Sequence, residues 1–133
     1  MKWTVLLTAF YLVSFSLVAK DISHAEAYKA ASKMEETLDQ NDMYSLFMAR
    51  GQLISDAVPS CISKRATAPT NISVVIELDE TGLVKRMWSD NQSLFGLCFE
   101  KEIVTRFKFK APKAPFYTLI EITDDNQIEF NYD

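Results

Sequence analysis

Residues 71–88, NISVVIELDETGLVKRMW, decide the fold. Ile72, Val74, Ile76 and Leu78 alternate with Asn71, Ser73, Val75, Glu77 and Asp79. That period of two predicts a half-buried strand with one strongly apolar face. Asp79-Glu80-Thr81-Gly82 follows. A glycine closing a three-residue connection suits a type I turn with a G1 bulge, because glycine takes positive φ without steric cost. Residues 83–88 then return as a second strand. The stretch predicts an antiparallel hairpin with Asp79 and Gly82 as its turn residues.

Beyond the hairpin, Ser89-Asp90-Asn91-Gln92-Ser93 is a polar break with capping residues. Residues 94–107 read as a helix whose apolar positions, among them Leu94, Phe95, Leu97, Cys98, Phe99, Ile103, Val104 and Phe107, cover more than a narrow stripe. Pro112 and Pro115 exclude helix beyond Lys110. Residues 116–123 supply a third strand. Asp124-Asp125-Asn126 can turn the chain, and residues 127–132 are a candidate fourth strand.

Before the hairpin, Ser23-His24-Ala25-Glu26 is a capping-box pattern opening a helix over residues 23–39. Asn41-Asp42 interrupts it and can cap a second helix, weakened by Gly51 and ended or kinked by Pro59. Residues 65–70 read as a loop. The whole is α+β: a small antiparallel sheet with a β-β-α-β core, preceded by two N-terminal helices.

Residues 1–20, MKWTVLLTAFYLVSFSLVAK, carry a lysine at position 2 and no further charge until Lys20. The run has the length of a signal h-region and is short for a spanning helix. Cleavage after Ala19 puts Leu17 at the third position back, and cleavage after Ser16 puts Ser14 there. The expected organisation is a secretory signal over 1–19, a helical segment over 20–60 and an α+β domain over 61–133. No stable membrane span is expected after cleavage, an uncleaved anchor being the rival. Export to an oxidising compartment makes one Cys61–Cys98 disulfide the simplest use of an even cysteine pair. Two buried free thiols are the alternative, and redox catalysis lacks the C-x-x-C spacing.

The formal net charge of -4 argues against a dedicated nucleic-acid binder, which needs a basic stripe. Catalytic motifs are thin. His24 is the one histidine and reads as a solvent-facing residue of the capping segment. Asp124-Asp125-Asn126 lacks the spacing and glycine of a calcium loop. Glu35 with Glu36, and Glu100 with Glu102, read as solvated edges. No catalytic residue, metal or cofactor is assigned. In Arg106-Phe107-Lys108-Phe109-Lys110, aromatic and basic residues alternate. The simpler assignment buries Phe107 and Phe109 and leaves Lys108 and Lys110 in water; the functional one makes the strip a rim for an acidic or peptide partner. Trp88 is either core or an interface anchor. Trp88, Phe107, Lys108, Phe109, Lys110, Phe116 and Tyr117 are thus the candidate partner-binding residues.

In order and spacing, several pieces resemble the carboxy-terminal domain of the TonB superfamily, most closely its two-cysteine AgmX/PglI-like envelope relatives. They are Cys61 ahead of a strand, strand 72–78, Asp79-Glu80-Thr81-Gly82-Leu83-Val84, a helix bearing Cys98, and Phe107-Lys108-Phe109-Lys110-Ala111-Pro112. They span residues 55–123. Lys110 stands where the family often has proline, and the helices of residues 23–58 lie outside the pattern. The resemblance implies a bacterial envelope location, periplasmic or secreted, and a non-catalytic protein-interaction role. The expected partner is an envelope protein or peptide segment rather than nucleic acid. It would be held by pairing along an open sheet edge, either strand 116–123 or the terminal strand. The alternative is a secreted enzyme or enzyme inhibitor using loop residues.

Overall fold

The computed structural model describes residues 21–63 and 71–123. The signal segment, the 65–70 loop, the Asp124–Asn126 turn and the fourth strand lie outside the described residues. The chain is α+β. Its order is α1 (His24–Glu35), α2 (Gln40–Ser63), β1 (Asn71–Leu78), β2 (Val84–Ser89), α3 (Leu94–Arg106) and β3 (Phe116–Thr123). The three strands form one antiparallel sheet in the order β2-β1-β3.

The hairpin forms as its sequence predicts. Gly82 donates its N–H to the Asp79 carbonyl at 3.0 Å, and Asp79 donates to Leu83 at 2.9 Å. Gly82 sits at φ 83°. A Cβ there would lie 2.7 Å from the Phe109 carbonyl oxygen, because the exit from α3 packs on the turn. Phe109 donates its N–H back to Gly82 at 3.1 Å. The Asp79 carboxylate accepts from Thr81 Oγ1 at 2.6 Å and from the N–H groups of Thr81 and Leu83. These hydrogen bonds, the Thr81 hydroxyl first, hold its carboxyl below the usual aspartate range.

β1 is buried on both faces, not one. Ile72, Val74, Ile76 and Leu78 meet α2 and α3 in the main core, together with Leu46, Leu53, Ala57, Phe95, Phe99 and Ile103. Burial of each large side chain in that core is worth about 1.5–3 kcal/mol. Val75 on the opposite face packs under Ala27 and Ala31 of α1. Two alanines let that helix lie close to the sheet. Glu77 is buried on the same side, paired with Arg86 at 2.5 Å. The alternation in the sequence shows which side chains share a face. It does not show that a helix from elsewhere covers the second face.

The helices depart from expectation in instructive ways. The capping box closes as read, with Ser23 Oγ accepting from Glu26 at 3.2 Å and Glu26 accepting the Ser23 N–H at 2.8 Å. The second helix is capped by Asp39 rather than by Asn41-Asp42: Asp39 Oδ1 accepts the Asp42 N–H at 2.8 Å. Pro59 does not end α2. It lies on the solvent side with Ser55, whose carbonyl loses its helical donor where water can replace it. On the opposite side Ala57 and Cys61 are buried and carry the helix past it. A domain boundary at residue 60/61 therefore falls inside α2, and Leu46, Leu53 and Ala57 ahead of it share the core of the sheet. Cys61 is bonded to Cys98, closing a separation of 37 residues and tying α2 to α3. Among the described residues no helix is long and apolar enough to cross a membrane.

Candidate functional site: the sheet edges and the α3 groove

A three-stranded sheet has two outer edges, and here they are treated differently. β1 pairs with β3 in the register Val74↔Ile120, Ile76↔Thr118 and Leu78↔Phe116. The N–H groups of Tyr117 and Leu119 point away from the sheet and are taken up by α1. Tyr117 donates to Met34 Sδ at 3.2 Å and Leu119 to Glu35 Oε1 at 3.0 Å. Glu35 also accepts from Thr118 Oγ1 at 2.6 Å and pairs with Arg50 of α2, which donates to Thr118 at 2.5 Å. Glu35 is therefore no solvated edge residue. α1 ends at Glu35, which turns its side chain over β3 instead of into water. The expectation that strand 116–123 offers the open edge is overturned over its first half.

β2 is the other edge. Asp90 donates its N–H to the Ser73 carbonyl at 3.2 Å, so Ser73, and by alternation Val75 and Glu77, face β2. Their partners are Trp88 for Val75 and Arg86 for Glu77. Met87 and Ser89 therefore point their backbone groups outward, and among the described residues nothing meets them. On the core side of this edge a groove of about 600 Å³ opens between β2 and α3, lined by Met87, Leu97, Glu100, Lys101, Val104 and Thr105. Leu97 is 42% and Val104 54% exposed. They lie two turns apart on one side of α3, whose other side sinks Phe95, Phe99 and Ile103 into the core. Glu100 stands between them, and burial holds its carboxyl above the usual range.

The candidate residues divide. Phe107, Phe109 and Phe116 are 2%, 5% and 3% exposed, so they close the core and present nothing to a partner. Lys108 and Lys110 are exposed, as alternation in an extended exit requires. Trp88 and Tyr117 are half-buried on the α1 side of the sheet, stacked with ring centroids 5.6 Å apart. Trp88 donates its indole N–H to the Ile22 carbonyl at 3.0 Å, and the Arg86 guanidinium covers its ring at 5.1 Å. Trp88 therefore anchors the entry to α1 and does not pack over α3. Met87, Leu97, Glu100 and Val104 were not singled out as binding residues. For Leu97 and Val104 the signal is the excess width of the apolar face on α3; Met87 and Glu100 carry none.

His24 is half-buried, not solvent-facing: its Nε2 lies 3.2 Å from the Ser73 carbonyl oxygen and 3.4 Å from Ser73 Oγ. Asp90 is nearby, but its carboxylate accepts the Ser73 backbone N–H at 2.9 Å. A relay needs the acid on the histidine, and among the described residues no carboxylate holds His24 Nδ1. Glu102 is also no solvated residue, since it pairs with Arg106 and accepts from Ser60 at 3.3 Å. No group of three or more His, Cys, Asp or Glu among the described residues is arranged to hold a metal. Comparison of the chain with protein-family models, with curated proteins and with solved structures finds no match.

Proposed function

We propose that the chain is an exported, non-catalytic interaction module of the bacterial cell envelope. It would hold an extended segment of a partner protein along the outer edge of β2. The observation that carries this is the asymmetry of the two edges. Among the described residues the first half of β3 is closed by Met34 and Glu35, whereas β2 is open and borders a groove that exposes Leu97 and Val104. A segment adding to β2 would gain main-chain hydrogen bonds at Met87 and Ser89 and bury alternate side chains against Leu97 and Val104. The resemblance to the TonB carboxy-terminal domain supports the same class of role, with the docking edge moved from the last strand to β2. The apolar run of residues 1–19 and the Cys61–Cys98 disulfide support an oxidising compartment outside the cytoplasm.

The test is selection of binders from a random nonapeptide display library, followed by assay against Met87→Pro. Proline at an outward-facing position removes the donor a docked strand needs and leaves the β1 ladder intact. Selected peptides should lose binding to Met87→Pro while its circular dichroism is unchanged. Peptides that bind the variant as tightly as the parent chain would rule out docking on β2.

A further inference from the structure

Met87, Leu97 and Val104 give the groove beside β2 its apolar lining, and Glu100, Lys101 and Thr105 are the polar residues along it. Glu100 projects between Leu97 and Val104 with Met87 opposite, and among the described residues its carboxylate has neither an ion pair nor a hydrogen bond. Lys101 also lines the groove, but it is exposed on its helix and its long side chain keeps its ammonium in water. The two charges are therefore unequal. Glu100 has lost part of its hydration and gained nothing in exchange, so a cation delivered to it restores the most free energy. The burial that raises its pKa is the same effect seen from the proton's side.

The dimensions suit a strand. Leu97 and Val104 are separated by about 10 Å along the helix axis. Three alternate residues of an added strand, all facing α3, span about 13 Å. For a segment running along the helix axis the outer two then fall at Leu97 and Val104, and the middle one falls between Glu100 and Lys101, where Glu100 is the less solvated of the two charges.

We infer that the segment docking on β2 carries a basic residue, lysine or arginine, flanked two positions away on each side by apolar residues, and that Glu100 selects it. This rests on the β2-edge function proposed above, so the experiment separates the two. The probes are three synthetic peptides, acetyl-SVTKTVS-amide and its norleucine and glutamate analogues at the central position. Each is titrated into the full chain and into Glu100→Gln, with binding read from amide shifts. The lysine peptide should bind the parent chain about five- to tenfold more tightly than the norleucine peptide. In Glu100→Gln that preference should collapse to about onefold, with norleucine binding unchanged. The glutamate peptide should bind weakest to the parent chain. A lysine preference that is missing, or that survives Glu100→Gln, overturns the selection. Each peptide is also made with alternate amides N-methylated, in both phases. If neither phase weakens binding, strand addition itself fails. A lysine preference that fails while methylation still abolishes binding leaves strand addition standing and removes only Glu100's role. No binding by any peptide at millimolar concentration overturns both.

Discussion

Glu35, the last residue of α1, accepts the outward backbone N–H of Leu119 in β3 at 3.0 Å. One carboxylate thus occupies a position where another strand would otherwise pair. It also neutralises Arg50 of α2, so the corner between the first two helices and the edge of the sheet are held by one group. Replacing Glu35 by alanine should cost about 3 kcal/mol, because a half-buried arginine loses its counter-ion and a strand N–H loses its acceptor together. Chemical denaturation measures the loss. Amide exchange should show Leu119 accelerating more than its neighbour Ile120, whose N–H faces β1.

The turn glycine makes two demands at once. Its φ of 83° disfavours any side chain, and a Cβ would press on the Phe109 carbonyl. Gly82→Ala should destabilise the chain by about 2–3 kcal/mol. The turn and the α3 exit should shift together in an NMR spectrum, since Phe109 donates to Gly82.

The Cys61–Cys98 bond closes 37 residues that include the hairpin. Removing it by a double alanine substitution should lower stability by about 3–4 kcal/mol on the chain-entropy model. A reductant should lower the melting temperature of the parent chain and leave that of the double variant where it is.

Asp79 makes the acid limb of stability predictable in sign. Its folded pKa is depressed, chiefly by the Thr81 hydroxyl, so between the folded and unfolded values the unfolded chain binds more protons. Its contribution is complete above the ordinary aspartate range, about 4, and is lost as pH falls through the folded value. Asp79→Asn should therefore flatten the pH dependence of the denaturation midpoint below about pH 5. A limb as steep in the variant as in the parent would show that other carboxylates set it.

Elements whose signals are local were legible in the sequence: the hairpin, the capping box at Ser23 and the alternation from Phe107 to Lys110; the Cys61–Cys98 bond, 37 residues apart, was legible from the even cysteine count instead. The helix ends were less so, because Asp39 rather than Asn41 caps α2 and Pro59 is tolerated on its solvent face. The closure of the first half of β3 is not legible in the sequence, for a tertiary reason. Nothing local in Phe116 to Thr123 tells that Glu35, 84 residues away, will occupy its edge. His24 reads as solvent-facing from the capping motif, and its half-burial, like the burial of Glu77, follows from α1 lying across the second sheet face. The groove left a partial trace: Leu97 and Val104 were apolar beyond what one buried stripe needs, and only the fold shows the surplus facing β2.

The most direct test of the open β2 edge is hydrogen exchange at single backbone amides of the free protein. Met87 and Ser89 should exchange many times faster than Trp88, whose N–H is bonded to β1, while Leu119 on the opposite edge should be protected despite its outward direction. A Met87 amide as slow as that of Trp88, or a Leu119 amide as fast as an unstructured one, would mean the edges are reversed and would contradict docking on β2.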